Sequence, residues 1–276
     1  MDRVQVNGST FEYSVQGSGE PVLLIHGSLI ADAFAPLLAQ PAIAGRCRLV
    51  SYHRRGFAGS SRHAGPCSIA QQAADAWAIL KHVGIERAHI VGHSYGGAIA
   101  LQLALDAPEV VHSLALLEPA LMMVPSAAQF FEALAPVAEA YGAGNKAAAA
   151  DNFMQGVGGG DYRASLDKAL PAGWFEQTVA EADTFFQVEM PALQEWQFTE
   201  ELAKRITRPA LAVLGALSDA VSPTFREGYD LQRQWLPQAE GYVLPGTAHM
   251  LQMQNPTDMA AALAGFFARH PVPVTA

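Results

Sequence analysis

Short apolar or alternating runs at residues 4–6, 11–15, 22–26, 48–52, 88–92 and 113–117 alternate, from residue 22 onward, with helix-length segments. Continuous apolar strands joined by short helical connections must bury both faces, which predicts a mostly parallel α/β sheet covered by helices on each side. The first two runs fit an antiparallel edge. Residues 69–83 and 96–107 read as helices, with Ser68 as an N-cap and Gly84 as a stop for the first. After Pro119 the text turns Ala-, Phe- and Met-rich and helical, broken at Gly142-Ala143-Gly144 and at the glycines of residues 156–160, until about Arg208. A strand at 210–214, a helix at 225–235, a strand at 241–244 and a helix at 256–268 then restore the alternation. The expected organisation is a core of residues 1–119 and 209–276 carrying a helical cap at 120–208.

Half of the 276 residues are apolar, enough for such a two-sided core. The net charge of −9 comes without any cluster of Lys and Arg, so nothing in the text suits a phosphate backbone, and no nucleic-acid partner is expected. No apolar stretch approaches the ~20 residues needed to span a bilayer, and no secretory pattern opens the chain. A soluble, cytoplasmic protein without a membrane partner is therefore the expectation. Cys47 and Cys67 lie outside any Cys-x-x-Cys pair and read as structural thiols. None of the nine histidines falls at metal-ligand spacing, so neither a metal nor another cofactor is assigned.

The most informative local text is Gly92-His93-Ser94-Tyr95-Gly96-Gly97, a Gly-x-Ser-x-Gly that follows a strand and opens a helix. A sharp strand-to-helix turn would lift the Ser94 hydroxyl above the sheet, where a base can reach it, and the flanking glycines permit that turn. The Tyr95 N–H, at the helix start, is positioned to receive an oxyanion. His93 reads as a packing or hydrogen-bonding neighbour.

His26-Gly27-Ser28 follows the buried strand at 22–25 and so falls at the carboxyl end of the sheet, where open α/β folds place ligands. Its Ser28 N–H is the expected second oxyanion donor; losing one such donor costs on the order of 3 kcal/mol. The base should lie on a loop after the last strand, and Gly246-Thr247-Ala248-His249 supplies His249 there. His63, His82 and His270 sit in polar segments, His89 and His112 begin strands, and His53 stays unassigned.

These motifs, together with Arg55-Gly56-Phe57-Ala58-Gly59-Ser60, occur in an order that resembles the α/β-hydrolase superfamily over essentially the whole chain. The resemblance implies an eight-stranded, mostly parallel sheet, a serine nucleophile at Ser94, a histidine base at His249, an oxyanion hole from Ser28 and Tyr95, and a helical cap over the pocket. One departure is His53, where many relatives carry aspartate.

The acid of the triad is open between two positions. The commoner arrangement follows the strand at 210–214, but Asp219 comes one residue later than the usual Gly-x-x-Asp and Ser218 takes its slot. The other arrangement, that of zearalenone lactonases and some haloalkane dehalogenases, falls at Leu117-Glu118-Pro119. Glu118 would emerge at the end of a buried strand, where a carboxylate needs a partner such as histidine, and it is preferred, with Asp219 as the alternative.

Large apolar side chains crowd the inserted segment, among them Met122, Phe130, Phe131 and Trp174. With Leu29 and Met250 beside the motifs, Met122 and Trp174 are expected to line an apolar pocket for a small hydrophobic or aromatic ester or lactone. The expected chemistry is acyl transfer through an acyl-enzyme, declining in acid as the imidazole of His249 takes a proton. Carbon–carbon bond hydrolysis or elimination on the same fold, or a receptor without turnover, are the competing readings. The sequence leaves the oligomeric state open.

Overall fold

A computed structural model describes residues 1–62 and 65–273. Eight strands form one sheet: β1 (Asp2–Val6), β2 (Ser9–Gln16), β3 (Glu20–Ile25), β4 (Cys47–Tyr52), β5 (Ala88–His93), β6 (Val111–Leu117), β7 (Ala210–Gly215) and β8 (Ala239–Leu244). Their spatial order is β1-β2-β4-β3-β5-β6-β7-β8. β1 and β2 join antiparallel and β2 meets β4 antiparallel, while every later pairing is parallel. The alternating early text and the continuous apolar text of β3 to β7 thus divide the sheet as expected.

Because successive strand residues point to opposite faces, the apolar runs feed two cores at once. Leu23, Ile25, Val50, Ile90, Leu114 and Leu116 pack on one face against α1 (Ile69–His82) and α2 (Tyr95–Asp106). Val22, Leu24, Leu49, Val91, Ala115 and Leu117 pack on the other, beneath the C-terminal helix Pro256–Arg269. α1 begins at Ser68 with a reciprocal capping box to Gln71. It ends as Gly84 takes φ +71°. β8 is the second edge and is only partly covered, with Val243 at 43% exposure.

Between β6 and β7 the described chain is helical: α3 (Ala127–Ala133), α4 (Ala135–Gly142), α5 (Lys146–Gly158), α6 (Tyr162–Ala169), α7 (Trp174–Asp183) and α8 (Met190–Glu195). The expected break at residues 156–160 is shorter than the glycine count suggests: α5 runs through Gly156 and Gly158 and ends at Gly159, φ +62°. α7 and α8 are joined by a π-helical turn, Thr184–Glu189. Pro191, at the start of α8, has no N–H for the preceding turn, which accounts for the wider spacing there. α9 (Pro223–Trp235) follows β7, and α10 (Pro256–Arg269) closes the chain. No helix among the described residues is long and apolar enough to cross a membrane.

Candidate active site

The parallel register brings the carboxyl ends of neighbouring strands into one row, with His93 beside Leu117 and Leu117 beside Val213. The Ser94 N–H donates to Leu117 O at 3.0 Å and the Glu118 N–H donates to Val213 O at 3.2 Å, so each turn is anchored to its neighbour strand. Ser94 adopts φ 54°, ψ −120°, and Glu118 adopts φ 43°. Neither is glycine, and such left-handed conformations in side-chain-bearing residues persist only where the surroundings impose them. Here close packing does so: a Cβ on Gly96 would stand 2.1 Å from Ile25 O. The loop after β3 lies just as near, since a Cβ on Gly27 would be 3.1 Å from Ser94 Cβ.

His249 arrives on the loop after β8, 7% exposed, and four contacts orient it. Its Nδ1 lies 2.6 Å from Glu118 Oε2, its backbone oxygen accepts from His93 Nε2 at 2.8 Å, and Phe225 of α9 stacks on its ring at 4.5 Å. The neighbouring Ala248 N–H is held by Gln254 Oε1 at 2.8 Å. Glu118 is 3% exposed, and its second oxygen accepts from the Gly215 N–H at 2.7 Å. Of the two carboxylates open from sequence, Glu118 therefore meets the imidazole, whereas Asp219 is exposed on the single turn Ser218–Val221. Ser218 is fully buried there, but its hydroxyl has no partner among the described residues.

With Nδ1 proton-bearing and held by Glu118, the other ring nitrogen of His249 is left as the acceptor. Ser94, His249, Ser28, Tyr95 and Glu118 all border one cavity. The Ser28 N–H has no acceptor among the described residues, and the Tyr95 N–H, first in α2, has no acceptor within its helix. The arrangement can present a hydroxyl, a proton acceptor and two N–H donors to one small molecule.

Most of the remaining wall is apolar and comes from the insertion and α9, including Met122, Phe130, Phe131, Phe153, Phe185 and Phe225, with Glu189, Thr224 and Gln232 as its polar members. Met122 lines this cavity, whereas Leu29 and Trp174, also expected at the pocket, do not. Both pack into the cluster joining the insertion to the loop after β3. The Leu29 carbonyl accepts from Thr178 Oγ1 at 2.9 Å, and the Trp174 indole donates to Asp167 at 2.8 Å. Met250 lines a smaller neighbouring cavity that also touches Ser28, Ser94 and His249.

Sequence reasoning missed the group beneath the Ser28 loop. Arg54, 1% exposed, donates to His26 O at 2.9 Å, Gly27 O at 2.8 Å and Gln72 Oε1 at 2.7 Å, with Phe57 and Tyr95 against its guanidinium. Its Nη2 stands 2.5 Å from Oε1 of Glu189, also 1% exposed, at the end of the π-helical turn. A lone carboxylate inside the apolar text Thr184-Phe185-Phe186-Gln187-Val188-Glu189-Met190 was the available signal.

Of the other histidines, His63 falls outside the described residues. His93 is buried against the His249 ring; burial first, then that neighbour, depresses its pKa to about 3, so it stays neutral. His53 bridges Glu12 and Asp32 at 3.2 and 3.1 Å; burial opposes its charge, but the two carboxylates outweigh burial and raise its pKa. His89, fully buried, joins Ser113 and Glu20 at the amino ends of the strands. No group of three or more His, Cys, Asp or Glu among the described residues is arranged to hold a metal.

Comparison with known proteins agrees with this fold. The family model described as alpha/beta hydrolase fold matches residues 20–256. A putative carbamate hydrolase, RutD, of Azorhizobium caulinodans is 40% identical over 103 residues, covering 37% of this chain and 38% of the relative. Alignments with the first three curated relatives reach only 38%, 30% and 45% of their own lengths. A thermophilic esterase from Thermogutta terrifontis superposes with TM-score 0.81 at 20% identity over 99% of this chain and all of the esterase. Est816, described as an N-acyl homoserine lactone degrading enzyme, superposes with TM-score 0.75 at 21% identity over 96% of this chain and all of Est816.

Proposed function

The chain belongs to the alpha/beta hydrolase fold family, and from that premise we propose that it is an enzyme that cleaves a carboxylic ester or lactone with a hydrophobic or aromatic body through a covalent acyl-enzyme. The observation that carries this reading is the meeting of Ser94 and His249 on one apolar cavity, with Glu118 Oε2 2.6 Å from His249 Nδ1.

His249 takes the proton of Ser94 as the hydroxyl oxygen attacks the substrate carbonyl, giving a tetrahedral intermediate whose negative oxygen faces the Ser28 and Tyr95 N–H groups. Those donors favour the transition state because the charge they meet is absent from the ground state. Collapse expels the alkoxide, which receives its proton from His249. Water then gives a proton to His249 as its oxygen attacks the acyl carbonyl, and collapse of that second intermediate breaks the Ser94 Oγ–carbon bond, releasing the acid while His249 returns the proton to Ser94 Oγ. Glu118 fixes the tautomer and stabilises the imidazolium without accepting its proton. Residues 120–208 act as the cap that makes the site apolar and excludes water.

The test is a screen of p-nitrophenyl esters of graded chain length together with aryl esters and macrocyclic lactones. Turnover favouring bulky apolar or aromatic substrates supports the reading. Folded enzyme that turns over none of them refutes it.

A further inference from the structure

Glu189 is a carboxylate 1% exposed whose Oε2 has no donor among the described residues, although it borders the cavity that holds Ser94. An ionised carboxylate offers about four acceptor sites, and burying one with those sites unused is costly. Three of the five N–H groups of Arg54 go to His26 O, Gly27 O and Gln72 Oε1, Phe57 and Tyr95 fix its plane, and neither remaining N–H makes an aligned bond to Glu189. The approach of Arg54 Nη2 to Oε1 at 2.5 Å is an ion pair lying off the hydrogen-bonding direction, so even that oxygen lacks an aligned donor.

We propose that Glu189 is a specificity-determining residue that accepts a hydrogen bond from a neutral donor, a hydroxyl or amide N–H, carried by an otherwise apolar substrate. This rests on the hydrolase reading above and names a feature of its substrate. The donor is neutral because Arg54 already balances the charge of Glu189; an added ammonium would leave a net buried cation among aromatic and aliphatic side chains. A π-helical turn is a costly way to present a side chain, and such turns recur at ligand-binding positions. The link from Glu189 through Arg54 to Gly27 O sets the donor on the wall shared with Ser28.

The test compares kcat/KM for aromatic esters carrying a hydroxyl at each ring position with matched methoxy and unsubstituted esters. One set places the ring on the acyl half and another places it on the leaving half. A hydroxyl at one position should raise kcat/KM about tenfold or more over both controls, and Glu189→Leu and Glu189→Gln should bring that ratio toward one. Flat ratios in both sets for wild type overturn the proposal even if neither variant folds. They would assign Oε2 to the polar cavity on its far side, bordered by Arg55 and Gln72. A flat result with the plain esters still hydrolysed removes this proposal alone, whereas loss of all turnover contradicts the hydrolase reading and this one together.

Discussion

Glu118 Oε2 lies 2.6 Å from His249 Nδ1 across 131 residues of sequence, while the other oxygen of the same carboxylate accepts the Gly215 N–H. The backbone donor fixes the carboxylate, and the carboxylate in turn fixes the imidazole.

Glu118→Gln should therefore lower kcat by about 10³ to 10⁴, since the amide can no longer hold the same tautomer. Asp219→Asn, at an exposed position, should change it by less than about threefold. Steady-state kinetics of the two variants check this. The opposite ranking would move the acid to Asp219.

Removing one member of a buried ion pair leaves an uncompensated charge, so Arg54→Met should destabilise the fold by about 3–5 kcal/mol. The pair is nearly inaccessible, with each side chain 1% exposed, so solvent screening gives little relief. The double variant Arg54→Met/Glu189→Met should recover much of that loss in urea unfolding. A single variant as stable as wild type, or a double variant worse than the single, would contradict the account.

His93 gives a pH dependence of defined sign. Burial, then the adjacent His249 ring, lowers its folded pKa to about 3, whereas the unfolded chain takes a proton near the ordinary histidine value of ~6.5. Stability from this residue is present above the unfolded value and is lost as pH falls toward 3, levelling below it. His93→Gln, whose amide can still donate to His249 O, removes that dependence. Between pH 7 and pH 5 wild type should lose about 2 kcal/mol more than the variant in denaturant titrations. Equal losses would mean that His93 is not held neutral.

How far the text predicts the molecule differs by element. Strand and helix positions in the sheet domain follow from apolar runs and caps because burial on two faces writes a periodic signal, as in β3, β5 and α1. Ser94 and His249 were legible because the turns that carry them have local glycine signatures. The choice of Glu118 over Asp219 was not decidable from local text, because it depends on Gly215 and His249 converging from distant strands. Leu29 was assigned to the pocket because it adjoins a motif and Trp174 because it is a large apolar side chain of the insertion, yet Leu29, at φ +67°, and Trp174 pack instead into the cluster that joins the insertion to the loop after β3. The Arg54–Glu189 pair escaped notice because its partners are 135 positions apart and neither belongs to a local motif.

The central claim is that Ser94 is an activated nucleophile, and covalent capture tests it most directly. Intact-mass analysis after treatment with a fluorophosphonate should find a single adduct on the folded wild-type enzyme, mapped to the peptide containing Ser94. Ser94→Ala should carry none. Folded wild type that stays unmodified, or a Ser94→Ala variant modified as readily as wild type, would contradict the account.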